Sequence, residues 1–213
     1  MATLGRRLPR SGLAGDAVAL APGLLGRVLV SDSSDGRVAV RLTEVEAYRG
    51  ADDPASHAYR GLTRRNAMMF DEPGHLYTYF VYGMHWCANV VTGPAGQPSA
   101  VLLRAGEVVV GHQLAASRRS DRTKPEHLAR GPAGLASVLG LAADQNGADL
   151  CAPRSSISIR VGLPTPEASV RSGPRVGVNV GVDHAWRFWE ANAPSVSAFR
   201  PGVQRHRKAA RTT

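Results

Sequence analysis

Residues 26–48 read GRVLVSDSSDGRVAVRLTEVEAY, two runs of alternating apolar and polar residues around the segment SDSSDG. Alternation with a period of two is typical of a half-buried β-strand, and serine, aspartate and glycine favour a turn between two such strands. The stretch therefore predicts a β-hairpin. Its second strand places Val38, Val40 and Leu42 on one apolar face.

Two glutamates continue this second strand. If the strand is regular, Glu44 and Glu46 follow on the same apolar face, where partial desolvation raises a carboxyl pKa and makes the group a usable proton acceptor. Glu46 is the candidate base. A salt bridge to an arginine is the plainer alternative for either glutamate. Their separation, roughly 6.5 Å along a strand, is also compatible with the carboxylate pair of an inverting sugar hydrolase.

Further strands follow along the chain. The stretch LYTYFVYGMHWCANVV, residues 76–91, predicts a second hairpin that turns near Tyr82 and Gly83. The segment SAVLLRA, residues 99–105, predicts another buried strand, and the later segments SISIRVGLP and RVGVNVGV also read as strands.

Two helices are predicted among these strands. In GEVVVGHQLAASRRS the positions at helical spacing are Val109, Val110, Gln113, Leu114 and Ser117. The segment GPAGLASVLGL begins with Pro132 placed as a first-turn residue. We expect both helices on the surface. Together these elements predict a mixed α/β (α+β) fold, a single compact domain around a curved, largely antiparallel β-sheet with surface helices and a protruding β-hairpin.

Length and composition bound the domain organisation. A chain of 213 residues that is 43% hydrophobic is long enough for one sizeable core and too short for two comfortable domains. We expect one domain over residues 1–200, with residues 1–20 loosely held, followed by a basic flexible tail over residues 201–213.

The charge balance points to a polyanionic partner. The chain has 26 basic residues against 17 acidic ones, a formal net charge of +9, which favours nucleic acid. No stretch approaches the roughly 18–20 apolar residues of a membrane span. The two cysteines, Cys87 and Cys151, are too few and too far apart for a disulfide framework. A cytoplasmic location without a membrane partner is therefore expected.

Aromatic residues are concentrated in the second hairpin. Only 6% of the residues are aromatic, yet the hairpin contains Tyr77, Tyr79, Phe80, Tyr82 and Trp86. Cross-strand packing is the ordinary role of such residues. A tyrosine at a hairpin tip buries little in its own fold and can wedge between stacked bases instead. A basic surface, a wedge, flat aromatic walls and a partly buried carboxylate fit a protein that extrudes a nucleotide and acts on it.

Several rare-residue blocks carry a family resemblance over most of the chain, from about Leu24 to Phe199. In order, the blocks are LLGRVLV, EVEAYRGADDPASHAYRG, RNAMMF, PGHLYTYFVYGMHWCANVV, AVLLRAGE, GPAGLA, RVGV and WRF. In this order and at this spacing the chain resembles the alkyladenine (3-methyladenine) DNA glycosylase family.

The resemblance implies a DNA repair enzyme. Such an enzyme flips out and excises alkylated or deaminated purines, of the 3-methyladenine, hypoxanthine and ethenoadenine type, from double-stranded DNA. It hydrolyses the N-glycosidic bond with water and leaves an abasic site. The resemblance implies that Glu46 is the general base and that Arg104 helps hold the attacking water beside it. On pattern alone, Arg104 is equally a salt-bridge partner.

The resemblance also assigns a base pocket and a wedge. Tyr48 and His57 would flank the flipped base, and Tyr79 would form a further stacking wall. Asn89 would help exclude normal guanine through its exocyclic amine, and Tyr82 would fill the gap left in the duplex. Without the resemblance, His57 reads as a solvated surface histidine and Asn89 as a side chain that satisfies a backbone group.

The chain departs from the family pattern at Arg64, where proline is common, and at Gly106 and Arg130. We expect Arg64 and its neighbour Arg65 to contact the DNA backbone.

Lysine scarcity bears on the reaction type. A glycosylase that also cuts the backbone usually forms a Schiff base, which needs a pocket amine. Lys124 lies in a polar segment and Lys208 in the basic tail, so neither suits that role. We therefore expect a monofunctional enzyme that acts as a monomer, with nucleoid association through DNA. No cysteine or histidine spacing predicts a metal site, and no cofactor is expected.

Two other classes stay open from the sequence. One is a non-catalytic DNA-lesion binding module on the same fold, which would recognise damage without cleaving it. The other is a carbohydrate hydrolase that uses Glu44 and Glu46, which the basic surface and the hairpin-tip tyrosine disfavour.

Overall fold

Eight strands form one antiparallel sheet in a computed structural model that describes residues 4–202. The strands are β1 (Val28–Ser33), β2 (Gly36–Tyr48), β3 (Leu76–Val81), β4 (His85–Val91), β5 (Ala100–Val110), β6 (Ile157–Arg160), β7 (Val170–Gly173) and β8 (Arg187–Glu190). The helices are α1 (Ala17–Leu24), α2 (His112–Ser117) and α3 (Pro132–Leu139), with short 3-10 turns between elements. The α+β class and the antiparallel sheet are confirmed.

The sheet order is β3-β4-β5-β2-β1-β6, with β8 paired to β2 and β7 paired to β8. Strand β2 is therefore central, since it pairs with β1, β5 and β8. Its residues are held by neighbours that come from distant parts of the sequence, and the candidate base lies on this strand.

The first hairpin forms as predicted. Strands β1 and β2 pair from Val28 opposite Arg41 to Ser33 opposite Gly36, which closes the turn at SDSSDG. The three apolar side chains of β2 named above are fully buried in the main core. Alternation in the sequence located this part of the core correctly.

The prediction that Glu44 and Glu46 continue on that apolar face is wrong, because β2 is not regular. Its pairing with β5 shifts register on both sides of Glu44, between Leu42 and Val45. A bulge of this kind adds a residue to one strand and exchanges its two faces. Val45 and Ala47 therefore join Leu42 in the core, and the two glutamates occupy the opposite face.

Gly106 lies at this irregularity, where it pairs with Leu42. A side-chain carbon at this position would overlap the Arg41 carbonyl oxygen and the Val40 side chain. Glycine is therefore required by the close approach of β2 and β5 next to the bulge. This gives a physical reason for one departure from the family pattern.

The second hairpin is also confirmed. Strands β3 and β4 pair from Leu76 opposite Val90 to Val81 opposite His85, so the turn falls at Tyr82 and the two residues that follow it. The hairpin forms the edge of the sheet.

Two secondary-structure predictions fail around glycine-rich segments. The helix expected from Val109 does not start there, because β5 extends to Val110 and only His112–Ser117 is helical. Gly111, at φ 78°, separates the two elements. The strand expected over residues 175–182 is absent, since these residues form turns and bends.

Helix α3 begins at Pro132 as predicted, but it is not a surface helix. It packs against β4 and β5 and buries Leu135, Val138 and Leu139. Residues 1–20 were expected to be loosely held, but the described part from residue 4 packs on the sheet, since Leu13 is fully buried in the core. The predicted basic tail lies outside the described residues from residue 203 onward.

Candidate active site

A cavity of about 380 Å³ opens where the end of β2, the β3–β4 hairpin and β5 meet the start of α3 and residues 176–178. Six of the nine candidate site residues line this cavity: Tyr48, His57, Tyr79, Tyr82, Asn89 and Arg104. Its size is that of a small-molecule pocket and suits a nucleobase. Glu46, Arg64 and Arg65 are not among the lining residues.

Glu46 lies fully buried directly behind the cavity wall. Its Oε2 accepts from the Tyr48 hydroxyl at 3.0 Å and from Arg104 Nη1 at 3.2 Å, and its Oε1 accepts from the Val176 backbone N–H at 2.7 Å. All three donors belong to residues that line the cavity. Burial raises the pKa of Glu46 above its usual value, and Arg104, Val176 and Tyr48 offset part of that rise.

Glu44 is equally buried but is held in a closed network. Its carboxylate accepts from Arg104 Nε at 2.9 Å and Arg187 Nε at 2.8 Å. It also accepts from the Ser197 hydroxyl at 2.8 Å and the Ser197 N–H at 2.7 Å. Four donors leave Glu44 little capacity for a substrate, and two of the residues that supply them, Arg187 and Ser197, do not line the cavity. This geometry disfavours the paired-carboxylate sugar hydrolase.

Arg104 bridges the two glutamates. Arg104 is 6% exposed and lines the cavity, and its guanidinium donates to both carboxylates. The salt bridges expected of Arg104 are therefore present, and its position at the cavity wall is also compatible with the catalytic role that the resemblance implies. A buried cation between two buried carboxylates keeps their charges compensated.

Aromatic rings form the walls. The His57 and Tyr79 rings meet edge to face with centroids 4.5 Å apart, and the Tyr77 and Tyr79 rings are stacked at 5.6 Å. His57 Nδ1 is 3.1 Å from the Tyr77 hydroxyl. His57 keeps an exposed surface, but partial desolvation beside these rings lowers its pKa, and the positive charge of Arg65 adds to this.

Asn89 is placed by β4, opposite Leu102 of β5. Its Nδ2 donates to the Tyr77 carbonyl at 3.1 Å, which fixes the orientation of the amide at the cavity wall. The backbone-satisfying role and the cavity-lining position therefore hold together.

Tyr82 stands at the tip of the hairpin and is 84% exposed. Its φ of 54°, followed by Gly83 at φ 68°, places both residues in the left-handed region that a tight hairpin turn requires. That conformation is unfavourable for a tyrosine. A large, exposed and strained aromatic is a feature that folding alone does not select.

Arg64 and Arg65 lie in the exposed loop that precedes the second hairpin. Arg65 Nη2 donates to the Phe80 carbonyl at 3.3 Å, beside the hairpin, whereas the structure brings Arg64 into no contact with the cavity. Both arginines are exposed to solvent in the loop that leads into β3.

Sequence reasoning missed the residues that support the site from distant segments. Val176, Arg175 and Ser197 reach the glutamate face, and Asp53 pairs with Arg175. The block RVGV was identified in the sequence but was predicted to be a strand. That prediction gave no indication that the Val176 N–H donates to Glu46.

Within residues 4–202, no three histidine, cysteine, aspartate or glutamate side chains come close enough to hold a metal ion. No described lysine lines the cavity, and Lys124 lies exposed ahead of a short 3-10 turn. Across the same residues, no helix has the length and apolar character needed to span a bilayer.

A basic α+β protein with an aromatic-walled cavity of nucleobase size and a carboxylate behind its wall has the features expected of an enzyme that extrudes a base and acts on it, a class that includes the DNA glycosylases. The family model for methylpurine-DNA glycosylase (MPG) matches residues 11–194. The chain belongs to the methylpurine-DNA glycosylase family, so it is a monofunctional DNA glycosylase, a DNA repair hydrolase.

Similar proteins support this assignment. A protein of Streptomyces avermitilis is 49% identical over 203 residues, which is 94% of this chain and 95% of that protein. One of Burkholderia orbicola is 44% identical over 199 residues, 93% of this chain and 95% of that protein. Each is named "Putative 3-methyladenine DNA glycosylase". The family resemblance inferred from the sequence blocks is confirmed.

Proposed function

We propose that this DNA glycosylase flips a damaged purine out of double-stranded DNA into the cavity and releases it by hydrolysis, as a monomer. The substrates are alkylated or deaminated purines of the 3-methyladenine, hypoxanthine and ethenoadenine type, of which the names of its relatives give 3-methyladenine. The observation that carries this proposal is the position of Glu46. It is a buried carboxylate of raised pKa, and all three of its donors line an aromatic cavity.

Hydrolysis of the N-glycosidic bond requires a water molecule, a group that accepts its proton and a pocket that holds the purine. Glu46 removes a proton from water as the water oxygen bonds to C1′ of the sugar, and Arg104 helps hold that water. The bond between C1′ and the purine nitrogen breaks, and its electrons leave with the purine. A carboxylate also stabilises the positive charge that develops on the sugar. A base that is already cationic, such as 3-methyladenine, leaves readily and stacks strongly on aromatic walls.

The pocket residues have separate tasks in this proposal. Tyr48 and His57 flank the flipped base, and Tyr79 forms a further wall. Asn89 excludes normal guanine through its exocyclic amine, and Tyr82 fills the space that the base leaves in the duplex. Arg64 and Arg65 contact the phosphate backbone near the hairpin.

The test is a single-turnover assay on duplexes that contain hypoxanthine, ethenoadenine or methylated purines, with matched undamaged duplexes. We expect base release from damaged duplexes only, and strand breaks only after alkali treatment, because hydrolysis leaves an intact abasic site. Lesion-specific binding without base release would favour the non-catalytic binding module. Absence of DNA affinity at moderate salt would contradict the DNA substrate altogether.

Tyr82→Asn separates function from stability at the hairpin tip. Asparagine tolerates the left-handed turn better than tyrosine, so we expect the free energy of unfolding to stay constant or rise by about 1 kcal/mol. Loss of the wedge should weaken lesion-duplex binding about 10-fold, the scale of one base–aromatic stack. Thermal unfolding and equilibrium binding measure the two effects.

The matched control is Leu163→Asn. Leu163 is 81% exposed and follows β6, at the sheet edge opposite the second hairpin. It should leave binding unchanged. Equal binding by wild type and the Tyr82 variant would remove the wedge role.

A further inference from the structure

A buried ion pair packs against the Tyr48 ring without lining the cavity. Arg175 is 1% exposed and forms a forked pair with Asp53, whose side chain is fully buried. Arg175 Nη2 donates to Asp53 Oδ1 at 2.7 Å, and Nη1 donates to Asp53 Oδ2 and to the Ala47 carbonyl at 3.0 Å. Neither charged residue lines the cavity, so the pair does not touch a bound base directly.

The guanidinium of Arg175 supports the Tyr48 wall. Its central carbon lies 4.6 Å from the Tyr48 ring centroid and 5.1 Å from that of Trp186. The Trp186 ring in turn stacks on His184, with centroids 4.0 Å apart and planes 7° apart. Planar groups packed in this way restrict the orientation of the tyrosine ring.

The same ion pair is directly connected to the other parts of the site. Val176, the residue after Arg175, donates its backbone N–H to Glu46 at 2.7 Å. Asp53 shapes the loop that leads to His57: its Oδ1 accepts from the Ala55 N–H at 3.0 Å, and its carbonyl accepts from the Ser56 N–H at 2.8 Å. One pair therefore connects the supports of both walls and of the candidate base.

We propose that Arg175 and Asp53 are positioning residues for base release, which act through Tyr48, the His57 loop and the Val176 N–H. The inference rests on the proposed function of Glu46 and the base pocket. Its mechanism is orientation: the pair holds the wall and the base donor in the geometry that hydrolysis needs, because small displacements of reacting groups cost large factors in rate.

The test must separate positioning from stability. Removing one partner of a buried ion pair is strongly destabilising, whereas replacing both with apolar residues often restores stability. Arg175→Met and Asp53→Leu should each lower the melting temperature. The double variant should recover most of it. Its single-turnover rate at saturating enzyme should nevertheless stay at least about 10-fold below wild type.

The pH profile gives a second readout. A backbone N–H bonded to a carboxylate favours the charged form, so loss of the Val176 contact raises the pKa of Glu46. The base must be deprotonated to act. The acid limb of the rate profile of the double variant should therefore move to higher pH, a change that a purely structural pair would not produce.

Arg41→Met is the matched control. Arg41 forms an ion pair with Glu190 at 2.6 Å, and this pair contacts neither the cavity nor Glu46. It should keep the wild-type rate and profile. Recovery of the rate together with the melting temperature in the double variant would overturn the positioning role.

If the double variant is unfolded, the isosteric variant Asp53→Asn tests the positioning role instead. A rate reduced about 5-fold or more with unchanged lesion-duplex affinity supports positioning, and a wild-type rate and profile overturn it.

Glu46→Gln, measured in parallel, keeps the two proposals apart. A wild-type rate in that variant contradicts Glu46 as base, whereas the rate of the Arg175 and Asp53 double variant reports on positioning alone.

Discussion

Glu46→Gln is expected to reduce the single-turnover rate of base release about 10²- to 10⁴-fold, the usual contribution of general base catalysis. Glutamine has nearly the same shape as glutamate, but its amide does not accept a proton from water. Lesion-duplex binding should change less than about 3-fold, because Glu46 lies behind the cavity wall and not on it. Quenched-flow or gel-based base release and equilibrium binding measure the two quantities.

The fold should tolerate this change. Because burial raises the pKa of Glu46, its stabilising contribution is fully present below the unfolded pKa and is lost as pH rises through the folded pKa. Glutamine does not titrate, so the variant should lose less stability than wild type as the pH rises through that window. Melting temperatures across the acidic to neutral range measure this difference.

Glu44→Gln is the matched control, two residues earlier in the same strand. Glu44 is held by Arg104, Arg187 and Ser197 and does not line the cavity. The substitution should lower stability yet retain at least about 10 times the rate of the Glu46 variant. Equal rates in the two variants would contradict the assignment of the base to Glu46.

Arg104→Met is expected to give a large loss of stability, about 3–5 kcal/mol, because Glu46 then has no cation and Glu44 keeps only Arg187. Methionine fills much of the vacated volume, so the loss reports charge and hydrogen bonding more than packing. For a domain of this size the change corresponds to a fall of roughly 6–20 °C in melting temperature. Denaturant or thermal unfolding measures it.

The loss of stability in Arg104→Met should increase as the pH rises. Arg104 lowers the pKa of Glu46, so its removal raises that pKa further. A group whose folded pKa is raised stabilises the fold below the unfolded pKa and loses that contribution as pH rises through the folded pKa. The gap between wild type and the variant should therefore be wider at about pH 8 than at about pH 5.

Two comparisons sharpen this result. Arg41→Met breaks a pair whose side chains are 20% and 21% exposed, and should cost only about 1 kcal/mol. Adding Glu46→Gln to Arg104→Met should restore part of the stability, because one uncompensated charge disappears. A loss no greater than that of the Arg41 variant would show that Arg104 does not compensate the carboxylates.

Local sequence patterns determined much of the fold and the family. The alternation in β1 and β2, the turn residues of both hairpins and Pro132 at the start of α3 are local signals, and the structure contains all of these elements. The aromatic hairpin and the ordered blocks were enough to identify the family, and six named side chains do line one cavity. The strand alternation, the turn residues and the helix start depend on residues within a few positions of one another. The family was identified from blocks spread along most of the chain.

Only the tertiary structure decided which way the glutamates point and what holds them. The bulge around Glu44 arises from the pairing of β2 with β5, and it transfers Glu44 and Glu46 to the face opposite the main core. Their donors Arg104 and Val176 come from strands and turns far along the chain. Strand register and buried ion pairs are fixed by contacts between distant segments, and a single sequence does not encode such contacts in any local period.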